Sequence, residues 1–130
     1  MKTGDAFLAP DKDHHNIKHL YIIVSDPSQN SDAVFLVMVS THETYKDETC
    51  ILESGDHPRI NHRSVVIYVR PPAVLTSVSR LKSLVESGMV EIQQPVSETV
   101  LSKNTEGCTK TRHIESGIET LLFKQGLLRN

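Results

Sequence analysis

Three short apolar runs limit most strongly what the first half of this chain can fold into. They lie at residues 20–25, 33–39 and 64–69. Each run is rich in β-branched residues, is bounded by turn-forming residues and is shorter than a typical helix, so the pattern predicts buried strands. Residues 26–32 supply turn chemistry for a hairpin between the first two runs. Shorter strands are predicted at 6–9, 49–52 and 90–92.

The spacing of the apolar residues changes after residue 76, where they begin to recur three and four positions apart. This spacing is typical of amphipathic helices, which we predict near 78–87, from about 97 and over 113–125. Ser77 or Ser79 is suited to begin the first helix. Gly88 and Gly126 are suited to end the first and the third.

We therefore predict one α+β domain over residues 1–130, with a small antiparallel β-barrel over about 3–76 and a helical part over about 77–126. The 14 Lys and Arg residues against 16 Asp and Glu give a net charge of -2. No global basic field draws the protein to nucleic acid, so a nucleic-acid site would have to be a local patch. The apolar runs are too short to span a bilayer, and two cysteines form no disulfide framework. We expect a cytoplasmic protein with no membrane partner.

Polar chemistry is concentrated in residues 50–68, around a Gly-Asp-His-Pro turn that leads directly into a strand. Active sites are often built from loops held on a rigid scaffold. Two imidazoles can serve as the base and the acid of metal-independent RNA cleavage, because imidazole titrates near neutral pH. We predict His57 and His62 as this pair. The alternative for His57, which follows a tight turn, is a ring that caps backbone groups. Neighbouring cations and hydroxyls are predicted to bind the substrate: Arg59, Arg63, Ser64 and Tyr68.

Residues 50–68 also fit two other kinds of site, a zinc site and a cysteine nucleophile. Cys50, His57 and His62 have C-x6-H-x4-H spacing, whose second half matches the histidine pair of a zinc site. A first pair of close cysteines is absent, and a fourth ligand would be distant: Cys108, His42 or Asp56. Cys50 could also act as a nucleophile, but the apolar residues after it predict a buried, inert thiol. We predict an exposed Cys108, no bound metal and no cofactor.

Gly4-Asp5 opens the first strand, Lys18-His19 leads into an apolar strand that ends in Ser25, and a further strand ends in Ser40-Thr41. These three stretches resemble the start of MazF/PemK-like toxins of type II toxin–antitoxin systems. The resemblance covers roughly residues 3–70. It implies an SH3-like barrel and a metal-independent endoribonuclease that cleaves single-stranded RNA. It also implies a homodimer that is neutralised by a cognate antitoxin protein.

The resemblance also implies catalytic residues outside the polar block. The family's catalytic Arg, from an Arg-Pro pair entering the second strand, corresponds to His19 of the pair His19-Leu20. Its catalytic Thr corresponds to Ser40, with Thr41 beside it. We therefore predict catalytic roles for His19 and Ser40, and a phosphate contact for Lys18. The alternative function is a non-catalytic SH3-like binding module that holds a peptide or protein in the same groove.

Overall fold

Strands dominate the first part of the chain and helices the last in the computed structural model, which describes residues 1–11, 13–14, 16–27, 32–44 and 46–125. The described strands are β1 (Ala6–Pro10), β2 (Lys18–Ile23), β3 (Ala33–Thr41), β4 (Ile51–Leu52), β5 (Ser64–Ile67), β6 (Val74–Ser77) and β7 (Glu91–Gln93). The helices are α1 (Val78–Glu86), α2 (Glu98–Lys110) and α3 (Ser116–Lys124). The predicted α+β class is confirmed. No helix in the described part of the chain is long and apolar enough to cross a membrane.

The strands form one antiparallel sheet in the order β4-β5-β3-β2-β1-β7, with β6 also paired to β3. One edge of the long strand β3 pairs with β2, and its other edge pairs with β6 near Ala33 and with β5 near Thr41. Among the described strands, no pairing joins β4 to β7, so the sheet is not closed into a barrel. The predicted SH3-like barrel is therefore not confirmed.

Helices cover both faces of this sheet because the strands alternate apolar side chains between two cores. On β1, Ala6 and Leu8 face one core and Phe7 faces the other. The first core is covered by α2 and α3, through Val100, Cys108, Ile118 and Leu122. The second is covered by α1, through Leu81 with Val78, Leu84 and Val85. Full burial of a Leu or Val side chain contributes about 1.5–3 kcal/mol, so these contacts fix each helix on its face.

The ends of the helices agree in part with the predicted caps. The hydroxyl of Ser77 accepts the N–H of Arg80 and begins α1, and that of Ser97 accepts the N–H of Val100 and begins α2. Gly88 follows α1 with a φ of 79°, a conformation that glycine adopts without strain. The predicted end of the third helix at Gly126, and the centre of the predicted turn at 28–31, lie outside the described residues.

Both cysteines are buried and free. The predicted burial of Cys50 is confirmed, and the predicted exposure of Cys108 is wrong. Cys108 lies on the face of α2 that packs against the sheet, where it is 1% exposed. Its polar sequence neighbours suggested a surface position, but on a helix the neighbours of a buried residue point to other faces.

Candidate functional site

A groove of about 450 Å³ brings together most of the residues predicted to act on a substrate. Its apolar floor is formed by Leu8, Leu20, Val39 and Ile60. Six of the nine predicted site residues line it: Lys18, His19, Ser40, Arg59, His62 and Ser64. Thr41, which follows Ser40 in the sequence and was named beside it as a candidate, also lines the groove.

The topology of the sheet explains why residues so far apart in sequence share this groove. Leu20 pairs with Val39, which brings the start of β2 to the end of β3. Thr41 pairs with Ser64, which brings the same end of β3 to the start of β5. Polar residues at these strand ends therefore meet at one end of the sheet, beside the loop that contains Arg59.

His19 is held by a carboxylate. Its Nε2 lies 2.9 Å from Oδ1 of Asp11, which leaves Nδ1 of the ring for a second partner. Oδ2 of the same carboxylate accepts the N–H groups of Asp13 and His14. The hydrogen bond to His19, followed by that from Asp13, lowers the pKa of Asp11 against a small opposing effect of burial. Asp11 is thus an ionised partner that orients the imidazole and offsets positive charge on it.

His62 is held by neutral groups instead. Its Nε2 lies 2.9 Å from the hydroxyl oxygen of Thr41, and its Nδ1 lies 2.6 Å from the side-chain oxygen of Asn61. The hydroxyl of Ser64 donates to the carbonyl of His62 at 3.0 Å, which anchors the main chain just before β5. The groove therefore contains two imidazoles with different partners.

Three cationic side chains lie at or beside the groove. Lys18 forms an exposed ion pair with Glu91 at 2.8 Å, and Arg59 donates from Nε to the side-chain oxygen of Gln93 at 2.9 Å. An exposed ion pair such as Lys18–Glu91 contributes about 0–1 kcal/mol, so a phosphate can replace Glu91 at little cost. Lys46, which the sequence did not indicate, donates to the hydroxyl of Ser40 at 2.9 Å.

His57 does not line this groove. The ring is 3% exposed, its Nδ1 accepts the N–H of Arg59 at 3.0 Å, and its Nε2 lies 2.6 Å from the carbonyl oxygen of Gln94. A carbonyl can only accept, so Nε2 carries the proton and donates it. Both ring nitrogens thus bind backbone groups, as the capping alternative for His57 anticipated.

Two other predicted residues also lie away from the groove. Tyr68 is 1% exposed, and its hydroxyl donates to the carbonyl of Asn104 on α2 at 2.9 Å. Arg63 donates from Nε and Nη2 to the carboxylate of Glu53, at 2.9 Å in each case. Tyr68 therefore packs α2 against the sheet, and Arg63, whose exposed guanidinium pairs with Glu53, does not line the groove.

The zinc alternative finds no support in the geometry. In the part of the chain that the structure describes, no three His, Cys, Asp or Glu residues are grouped to hold a metal ion. Cys50, His57 and His62 are thus not brought together. Burial raises the pKa of the Cys50 thiol, with a smaller opposing effect from the hydrogen bond to Tyr68. A thiol in this state is a poor nucleophile.

Comparisons with models of protein families, with curated proteins and with solved structures found no match to this chain. The resemblance to MazF/PemK-like toxins therefore stays a prediction, and the function has to be argued from the groove itself.

Proposed function

We propose that the groove binds single-stranded RNA and cleaves it without a metal ion. The observation that carries this proposal is the presence of two imidazoles, His19 and His62, on one groove with partners of different charge. Cleavage of this kind needs a base that removes the 2′-hydroxyl proton and an acid that protonates the leaving 5′-oxygen. The 2′-oxygen bonds to phosphorus as the 5′-oxygen departs, so the products are a 2′,3′-cyclic phosphate and a 5′-hydroxyl.

His62 is the base in this proposal, and His19 is the acid. Nε2 of His62 already lies 2.9 Å from a hydroxyl oxygen, that of Thr41, which is the separation at which a base takes a proton from a substrate hydroxyl. Asp11 holds one nitrogen of His19, so the other nitrogen is left to protonate the leaving group. The carboxylate offsets the positive charge that the protonated ring carries before the transfer.

Cations and hydroxyls complete the site. Lys18 and Arg59 supply positive charge for the phosphate, and Lys46 adds a third charge next to Ser40. Charge that develops on the non-bridging oxygens of the phosphate is stabilised by such preorganised donors. Lys18 and Lys46 each also face a carboxylate, that of Glu91 at 2.8 Å and that of Glu43 at 3.7 Å, so a phosphate would compete with these carboxylates for the two ammonium groups.

The resemblance to MazF/PemK-like toxins supports a proposal for the biological role of this cleavage. The chain would be a divergent MazF/PemK-like toxin, active in the cytoplasm as a homodimer and neutralised by an antitoxin protein. His19 and Ser40 stand at the positions of the family's catalytic Arg and Thr, and both line the groove.

The test is a cleavage assay on a mixed-sequence single-stranded RNA, with a DNA of the same sequence as control. We expect fragments that end in 2′,3′-cyclic phosphate from RNA, none from DNA, and no effect of a chelator. His19→Ala and His62→Ala should each lower the rate by about 10²- to 10⁴-fold, the usual contribution of one acid–base group. Intact RNA with the wild-type protein would contradict the proposal.

A non-catalytic binding module is the second candidate. The observation that favours it is the apolar floor of the groove, since peptide and ligand sites are usually apolar with a few polar groups. Intact RNA in the assay, together with wild-type growth of cells that express the protein, would favour this candidate over the enzyme.

A further inference from the structure

We propose that Asn61 is a positioning residue that fixes the ring proton of His62 on Nδ1, so that Nε2 presents a lone pair to the groove. This inference rests on the proposed function, because it concerns the residue assigned as the base. The side-chain oxygen of Asn61, 2.6 Å from Nδ1, can only accept a hydrogen bond. Nδ1 must therefore carry the proton of the neutral ring.

The opposite nitrogen of His62 fits the same assignment. With Nδ1 protonated, Nε2 of the neutral ring can only accept, and the hydroxyl of Thr41 at 2.9 Å is a donor in the right place. A substrate hydroxyl that displaces this hydroxyl would meet an unprotonated nitrogen and could be deprotonated directly.

The local fold anchors Thr41 and the main chain on either side of the His62 ring. Thr41 ends β3 and pairs with Ser64 at the start of β5, so its hydroxyl and the His62 ring lie on adjoining strand ends. The hydroxyl of Ser64 fixes the His62 carbonyl, and the N–H of His42 donates to the carbonyl of Arg63 at 3.0 Å. The ring is therefore held between two anchored segments.

The imidazoles of His57 and His19 differ from that of His62 in the nitrogen that faces an acceptor. Nε2 of His57 donates to the carbonyl of Gln94, and Nε2 of His19 faces the carboxylate of Asp11. Nε2–H is also the tautomer that free imidazole side chains prefer in water. Among these three rings, only that of His62 has an acceptor, the side-chain oxygen of Asn61, facing Nδ1. The tautomer of His62 therefore depends on Asn61. A neutral amide does this without placing a negative charge beside the base.

Nitrogen-15 NMR of the imidazole rings in the full-length protein, above the pH at which imidazole is protonated, tests the assignment directly. We expect the Nδ1–H tautomer at His62 and the Nε2–H tautomer at His57, which serves as an internal reference in the same spectrum. Asn61→Ala should convert His62 to a population dominated by Nε2–H. Asn61→Asp should retain Nδ1–H, because a carboxylate is also an acceptor.

The rates provide a second readout. Asn61→Ala should lower kcat at least about tenfold with little change in KM, because a wrong tautomer can disable a catalytic imidazole by about 10⁴-fold in a serine-protease triad. Glu119→Ala removes an exposed side chain of α3 that does not line the groove, and it should leave both kcat and the His62 tautomer unchanged.

Two results would separate this inference from the proposed function. Nε2–H at His62 in the wild-type protein, or Nδ1–H that persists in Asn61→Ala, would overturn the role of Asn61 even if RNA is cleaved. If the Nδ1–H tautomer of His62 is lost in Asn61→Ala, the tautomer assignment is supported. If the wild-type protein also leaves RNA intact, the ribonuclease proposal is overturned while that assignment stands.

Discussion

The imidazole of His57 donates from Nε2 to the carbonyl oxygen of Gln94 at 2.6 Å, across 37 positions of sequence. Its other nitrogen accepts the N–H of Arg59, so one buried ring joins the loop after β4 to the segment between β7 and α2. This loop carries Arg59, Ile60 and His62 to the groove. We therefore interpret His57 as the residue that holds the groove wall in place.

We predict that His57→Ala lowers the free energy of unfolding by about 1–3 kcal/mol, because it removes a buried ring together with its two hydrogen bonds to the backbone. Urea unfolding measures this loss, with His14→Ala as a control at an exposed imidazole. Under conditions where the variant is folded, it should retain far more RNA cleavage than His62→Ala. An unchanged stability together with a loss of cleavage as large as that of His62→Ala would contradict this interpretation.

Gly107 lies where α2 passes close to the side chains of Tyr68 and Cys50. A Cβ there would clash with the hydroxyl oxygen of Tyr68 and would lie 3.1 Å from Cβ of Cys50. We predict that Gly107→Ala destabilises the protein by about 1–3 kcal/mol through overpacking, although alanine is the better helix former. Gly117, on α3, has open space around its Cα. Gly117→Ala should therefore stabilise by about 0.5–1 kcal/mol.

Thermal unfolding of the two variants in parallel provides the measurement. A second variant, Tyr68→Phe with Gly107→Ala, should recover part of the loss, because it removes the nearest clashing atom. Equal effects of Gly107→Ala and Gly117→Ala would mean that α2 does not pack against Tyr68 as described.

The sequence predicts the strands better than the site because apolar patterns report burial, whereas a site depends on distant contacts. Strands at 20–25, 33–39 and 64–69 are confirmed with shifted ends. β6 was missed because its half-exposed residues form a strand only through pairing with β3. The burial of His57 depends on Gln94, and the position of Lys46 depends on Ser40, so neither follows from local spacing.

Asp47 provides a pH-dependent contact between the loop after β3 and the end of α2. Its carboxylate accepts hydrogen bonds from the hydroxyl of Thr111 at 2.6 Å and from the N–H of Thr49 at 2.9 Å. Burial acts to raise the pKa of Asp47, but the hydrogen bonds from Thr111 and Thr49 outweigh it and lower the pKa below its ordinary value of 3.8.

A lowered pKa in the folded state means that the unfolded chain binds the proton more readily. The stabilisation by Asp47 is therefore fully present above its ordinary pKa of 3.8 and is lost as the pH falls through the lower, folded value. We predict that the difference in unfolding free energy between wild type and Asp47→Asn is larger at pH 7 than below pH 3.8. Urea unfolding at the two pH values measures it, and a difference that grows on acidification would contradict the assignment.

Both thiols should be inert in the folded protein. Burial, followed by the effect of Cys50, raises the pKa of Cys108 to about 12, and burial likewise raises the pKa of Cys50. We predict slow reaction of both with a disulfide reagent until urea unfolds the chain. Met89 is 57% exposed, so Met89→Cys should add one fast-reacting thiol in the same assay. Rapid native-state modification of Cys50 or Cys108 would show that α2 opens readily.

The central claim is that His62 removes the 2′-proton and His19 protonates the leaving 5′-oxygen. An RNA with sulfur in place of one bridging 5′-oxygen tests it most directly, because a thiolate leaves without protonation. The measurement is the single-turnover rate of cleavage at that linkage relative to the oxygen substrate. We predict that the sulfur substrate restores the rate of His19→Ala to near that of wild type, and that His62→Ala remains about 10²- to 10⁴-fold slower. Equal rescue of both variants, or of neither, would contradict the account.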